Sequence, residues 1–342
     1  MFIRTLAIAA CIVATIAAAA SAEDATVVLS SYGIAQPQYG KDLYSPFEAQ
    51  CGCKVVVDTG NSAARLAKLE AYKDNPDTDV AALSDASAAQ AAKEGLIEPI
   101  DVGALSNFPK LYQIAQDPVG GHFAVGYTFY ATSIVYRTDK MPPVTSWQVL
   151  WSPTLNKRIA LPDITTTQGV PVAYMANLTF NGTMPDMKVG IAKVTALKDS
   201  AVTYYPSSAV ATQLFQQDEI WAAPVGRFDW PNLKKLDVPL AWSMPQEGQS
   251  GGMNVLVLVK GAKHKALAMK LIDAWLSTEV QTALASDLVD SPANSEVKLA
   301  PAAAEILVYG PEAVKSLHLV PPDVVLANRA AWVADWNAGM AH

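Results

Sequence analysis

Apolar and polar positions along this chain alternate between two periods. Residues 25–30, 54–57 and 79–83 are short runs rich in Val, Ala and Leu, of strand length. Between them, residues 39–50 and 63–72 carry apolar positions at helical spacing, with Leu66 and Leu69 on one face. Strands alternating with helices predict parallel βαβ units. After Phe108 the pattern changes: residues 122–127 and 130–136 read as apolar and aromatic strands with no helix between them, as where a chain crosses into a second lobe. A short helix at 145–151, a strand at 158–161, helices at about 170–180 and 186–199, a strand at 201–205, a helix at 208–216 and a strand at 219–223 then repeat the α/β logic. Residues 253–259, MNVLVLV, form a continuous apolar run of the kind expected for a central strand buried on both faces. Past the Gly261 turn, Ala266, Leu267, Met269, Leu271, Ile272, Trp275 and Leu276 outline an amphipathic helix. Helices near 277–286, 310–316 and 323–338 finish the chain, and Trp332 and Trp336, at i and i+4, are expected to pack as core.

Length and the leader change the picture next. The first 22 residues combine Arg4, an apolar run from Leu6 to Ala20 and the small-residue site Ala20-Ser21-Ala22 before Glu23, the pattern of a cleaved secretory signal peptide. Cys11 follows Ile8-Ala9-Ala10, a poor lipoprotein box. A periplasmic location is therefore expected. The roughly 320 residues that remain exceed the size at which one core keeps growing, so two lobes are expected. The formal charge of −7, or −8 once Arg4 leaves with the leader, comes with no Lys/Arg cluster, which excludes nucleic acid as a partner.

Three motifs bear on chemistry. Cys51-Gly52-Cys53 lacks the further ligands that zinc wants, and reads either as a short disulfide or as two free thiols at a helix end. Gly248-Gln249-Ser250-Gly251-Gly252 matches the G-x-S-x-G nucleophile elbow, with Asp273 and His318 in triad order, but the apolar strand follows the serine instead of preceding it, the reverse of an elbow. Tyr204-Tyr205 resembles the paired tyrosines of ferric-binding proteins, although neighbouring strand side chains point to opposite faces. His122, His264 and His342 read as exposed or loop residues. Neither an enzyme nor a metal or cofactor site is expected.

The segment PQEGQSGGMNVLVL, the helix KALAMKLIDAWLS, and Pro292-Ala293-Asn294 after the next helix resemble the second half of the extracellular solute-binding proteins of ABC importers. The resemblance extends through VVLSSYG, AKLEAYKDNPDTDVAALS, KEGLIEPID, LSNFPKL, VTSWQVLWSP and KRIALPD, and is nearest to the spermidine/putrescine-binding group. It implies a two-lobed α/β fold with a hinge and an interlobe cleft. One lobe would comprise residues 23–131 with about 256–305 returning to it, the other 132–255 with about 306–342. It also implies capture of a small solute by a monomer and delivery to a membrane ABC permease.

Open α/β sheets bind ligands outside the carboxyl ends of their strands. That rule and the family's cleft positions select Tyr32 and Gly33 after the first strand, Ser84 and Asp85 after the third, and Thr165, Thr166 and Thr167 in the loop after Leu161. They also select Tyr205, Arg227 and Asn254. Ser84 is expected first as a helix N-cap. The amine-recognising Trp and Asp of the polyamine group fall here on Gly252 and Asn254, and the acids of the 162–169 loop are threonines beside Asp163. Arg227 suits an anionic head group, or else pairs with Asp229 as a structural arginine. With Asp85 or Asp163 left to meet an ammonium, a zwitterion such as an ω-amino acid or aminophosphonate is expected ahead of a diamine.

Overall fold

The computed structural model describes residues 25–341; the leader, its cleavage before Glu23, and His342 lie outside the described residues. The strands in chain order are β1 (Thr26–Ser31), β2 (Lys54–Thr59), β3 (Val80–Ser84), β4 (Ile97–Glu98), β5 (Val125–Arg137), β6 (Ile159–Pro162), β7 (Ala201–Tyr205), β8 (Ala222–Gly226), β9 (Leu240–Trp242), β10 (Gln249–Val259) and β11 (Leu317–Leu319). Hydrogen bonding runs in the order β2-β1-β3-β10-β5-β8-β6-β7, with β4 and β11 on β10 and β9 on β5. Within each end the pairing is parallel, β1 with β2 and β3, and β6 with β7 and β8, as βαβ connections require. The two long strands in the middle run antiparallel to each other, β10 to β3 and β5 to β8, and so join the ends.

This continuous ladder carries separate cores, which makes two lobes of it. Val27, Leu29, Leu83, Val125, Tyr127, Val255, Leu256 and Trp275 belong to the first core. Ile134, Trp147, Leu161, Met175, Trp332 and Trp336 belong to a second, and Val135, Tyr205, Phe215 and Val225 to a third on the other face of the second lobe's strands. Both β5 and β10 cross from one lobe to the other. β5 pairs with β10 as far as Thr132 and with β8 from Thr132 onward. Val255, Leu256, Val257 and Leu258 are fully buried, as a strand flanked by β3 and β5 and covered on both faces must be. Val308, Val314 and Leu317 pack in the first core, and the last helix, Pro322–Ala341, supplies Trp332 and Trp336 to the second. That helix touches helix Asp85–Lys93 of the first lobe and helix Lys188–Thr195 of the second.

Several expected elements differ in detail. Residues 122–127 and 130–136 are not two strands: β5 runs unbroken through Gly126-Tyr127-Thr128, with Tyr127 the extra residue where its pairing shifts from Asn254 to Val255 of β10. The helix expected at 39–50 is a short α-turn (Gln36–Tyr39), a π-turn (Gly40–Tyr44) and helix Ser45–Cys51. The helix expected at 186–199 shortens to Lys188–Thr195. Strands β4, β9 and β11 have two or three residues each, too few to show a period, and exist only because β10 and β5 offer them an edge.

Candidate functional site

Four strand segments of the first lobe converge where β5 and β10 leave it. β1 leads into Tyr32, whose hydroxyl donates to Asn254 Oδ1 on β10 at 2.9 Å. β3 ends at Ser84, opposite Asn254 in the ladder, and Asp85 opens the helix that follows. Ser84 is an N-cap, its Oγ accepting from Ser87 N at 3.2 Å, and its own amide donates to Ser62 Oγ at 2.9 Å. From β5, Tyr130 faces Gly252 of β10, and its ring occupies the space that a Cβ at residue 252 would need.

Asp85 is the charged centre of this arrangement. Only 8% of it is exposed. Its carboxylate accepts from Ala86 N at 2.7 Å and from Met253 N at 3.5 Å, and it forms no ion pair with a described Lys or Arg. Burial pushes its pKa up to about 6, against the backbone hydrogen bonds that favour the ionised form. The carboxylate lines a cleft of about 740 Å³ together with Phe108, Asp117, His122, Met253 and Asp323, and no Lys or Arg is among the lining residues. A cavity of that size, lined by aliphatic and proline side chains, Phe108 and a few polar groups, is in the range of small-molecule sites.

On the other side of Tyr32 lies an arginine that helical spacing did not single out. Helix Ser62–Ala71 is capped by Asn61, whose Oδ1 accepts from Ala64 N at 2.9 Å, so Arg65 stands in its first turn and reaches back to the strand end. Its guanidinium lies 3.7 Å from the centre of the Tyr32 ring, and Nη1 donates to Gly60 O at 2.5 Å. The side chain is 2% exposed, and Nε and Nη2 have no partner. Burial raises the Tyr32 phenol's pKa, and the nearby Arg65 charge opposes that rise.

The remaining sequence candidates are differently engaged. Gly33 is exposed on the loop after Tyr32. Thr165 bonds Asp163 Oδ1 through both Oγ1, at 2.5 Å, and its amide, at 2.9 Å; Thr166 Oγ1 donates to Asp163 O at 2.7 Å. These hydroxyls therefore close their own turn, and Thr167 is exposed beside them. Tyr205 is fully buried in the third core and donates to Pro224 O, while Tyr204 donates to Val194 O at 2.6 Å and stands edge-on to Trp336. The two phenols thus point to opposite faces, each held by a carbonyl. Arg227 does not pair with Asp229. Its Nε donates to Ile306 O at 2.8 Å, Nη2 to Glu305 O and Leu307 O, and the guanidinium lies over Trp242. Burial lowers its pKa to about 10.

The G-x-S-x-G segment has no elbow. Ser250 lies inside β10, paired with Thr132 and His318, and its buried Oγ has no partner. Asp273 is occupied by Ser106 Oγ at 2.7 Å and Asn107 N at 2.9 Å. His264, read as a surface residue, binds the buried Asp79 through Nδ1 at 2.9 Å. Cys51 and Cys53 form a disulfide across Gly52, whose φ of +63° provides the turn. Among the described residues no group of three or more His, Cys, Asp or Glu converges as a metal site would.

Comparison with known proteins places this geometry. Residues 42–306 match the bacterial extracellular solute-binding protein family. The spermidine/putrescine-binding periplasmic protein of Salmonella typhimurium is 28% identical over 255 residues, covering 72% of each chain. An ABC transporter structure from Clostridium perfringens superposes with a TM-score of 0.85 at 29% identity, over 92% of this chain and 99% of that one. The binding protein AgtB of A. tumefaciens R10, solved with agropinic acid, gives 0.65 at 26% identity over 93% and 99%. Proteins of this kind serve transport and are not enzymes, binding a small solute for delivery to a membrane permease. With its two lobes, its crossing strands and a cleft where they meet, the chain belongs to the bacterial extracellular solute-binding protein family of ABC importers.

Proposed function

We propose that this protein is the periplasmic receptor for a small amino compound and that Asp85 receives the compound's ammonium group. The observation that carries this reading is a carboxylate nine-tenths buried at the edge of an open cleft with no Lys or Arg among the lining residues to neutralise it. A buried charge without a partner is costly, and a ligand cation removes that cost. Tyr32 and Tyr130 lie close enough to Asp85 for its charge to act on both phenols, and Met253, between Gly252 and Asn254, donates its amide to the carboxylate. We take the lobes to meet near Ala131, near Gly252 and between Leu319 and Val320, and closure about these crossings to hold the solute.

The relatives support the ammonium end. The Salmonella protein is named for spermidine and putrescine, and the protein from A. tumefaciens was solved with a compound named as an acid. A zwitterionic ω-amino acid or aminophosphonate is the favoured solute and a diamine the second reading. The mature chain begins at Glu23 and works as a monomer.

A thermal-shift screen of the mature protein across ω-amino acids, aminophosphonates and diamines tests this reading. A ligand at about one hundred times its Kd adds roughly 2.7 kcal/mol to stability. Asp85→Asn should weaken every responding compound at least tens-fold, as expected for truncating a desolvated charge pair at about 2–5 kcal/mol. Undiminished binding by Asp85→Asn would remove Asp85 from the site.

A further inference from the structure

The least satisfied charge in the first lobe is Arg65. Each guanidinium edge that is taken has a visible partner: Nη1 donates to Gly60 O, and one face is covered by the Tyr32 ring. The edge that carries Nε and Nη2 is free, and no described carboxylate forms an ion pair with it. These two nitrogens are adjacent and project their N–H bonds in parallel, the pair that grips both oxygens of a carboxylate side-on. A guanidinium that is 2% exposed and lacks an anion leaves two donors and a full charge uncompensated, which a folded protein tolerates only where something else completes the set. The same strand end holds further orphaned groups, the buried hydroxyls of Ser30 and Ser31, in the two residues before Tyr32.

Position supports a ligand role over a purely structural one. Tyr32 stands between the two unneutralised charges, with Arg65 and Asp85 both acting on its phenol. Its hydroxyl is tied to Asn254 on the crossing strand, next to Met253, which lines the cleft together with Asp85. The next residue, Gly33, is exposed, and a side chain there would make only ordinary contact with Thr59.

Resting on the ammonium reading of Asp85, the geometry points to Arg65 as the group that binds the solute's carboxylate, through Nε and Nη2, when the Tyr32 ring withdraws. Cargo would then be a short amino acid spanning Tyr32, its ammonium on Asp85 and its carboxylate on Arg65. A diamine has no anion for Arg65 to grip and is held through its one ammonium on Asp85.

The test is titration calorimetry of the mature protein with ω-amino acids of three to six carbons and with diamines of matching length. The two series share one ammonium end and differ only in whether the other end is an anion. The wild type is expected to bind at least one ω-amino acid about tenfold or more tighter than its matching diamine. Arg65→Gln is expected to weaken that amino acid at least tens-fold and leave the diamine within about threefold, erasing the preference. Arg65→Lys, which keeps the charge and loses the paired donors, should fall between them and serves as the comparison if the glutamine variant folds poorly. A wild type that prefers the diamine, or binds no ω-amino acid, overturns the proposal, and so does an Arg65→Gln variant that weakens both series equally or neither. If Asp85→Asn leaves the amino acid's affinity intact while Arg65→Gln still abolishes it, the ammonium reading fails and the carboxylate site stands.

Discussion

Tyr130 and Gly252 face each other across β5 and β10, and the tyrosine ring fills the space that a side chain at 252 would take. An aromatic ring from β5 thus fills the β10 side-chain position to which the resemblance assigns the polyamine group's tryptophan. Gly252→Ala should displace the ring and weaken solute binding while leaving the secondary structure intact. Because the contact is to the far end of a side chain, Tyr130→Ala combined with Gly252→Ala should cost less than the sum of the two single variants, a coupling of about 0.5–3 kcal/mol in a double-mutant cycle. Additive effects in thermal unfolding and calorimetry would show that the two do not share that space.

Solute affinity should depend on the charge of Asp85. Its pKa, raised to about 6 by burial, means that the group is ionised at pH 7.5 and largely protonated at pH 5. Binding of an ammonium compound should therefore be about tenfold weaker at pH 5 than at pH 7.5, and the difference should vanish in Asp85→Asn. Calorimetry at the two pH values reads this directly.

Arg227 should matter for stability and little for binding. Its donors hold the carbonyls of Glu305, Ile306 and Leu307, the end of helix Pro301–Ile306, against the second lobe. Arg227→Ala should lower stability by about 1–3 kcal/mol, the range for hydrogen bonds made by charged groups, and leave affinity within a few-fold. An unchanged Tm with a large loss of affinity would restore the anion-binding role that its place after β8 suggests.

Asp290 should make the fold less stable as pH rises. It is buried between Tyr39, whose hydroxyl donates to it at 3.0 Å, Thr128 and Trp275, and burial lifts its pKa to about 7. An unfolded aspartate titrates near pH 4. Between about pH 4 and 7 the folded chain holds a proton that the unfolded chain has lost, so stability from this group is full below that window and declines as pH rises through it. Asp290→Asn should flatten the fall in Tm between pH 5 and pH 8 by about 2 °C or more. An equal fall in both proteins would show that Asp290 does not titrate there.

The sequence by itself determined the alternating strands and helices, the buried central strand 253–259, the N-cap at Ser84, the core tryptophans 332 and 336, and the family. Each of these rests on local periodicity, local capping chemistry or motif order, which the linear chain carries. Only the tertiary structure decided which charges stand unpartnered. Arg227 and Arg65 look alike in the sequence, yet one meets three carbonyls from a segment some eighty residues away and the other is buried with two free donors. Register across β5 and β10 likewise set Tyr130 against Gly252, and the fold of β7 sent Tyr204 and Tyr205 into different cores. Whether a polar group is satisfied depends on what long-range packing brings to it, and no spacing along the chain encodes that partner.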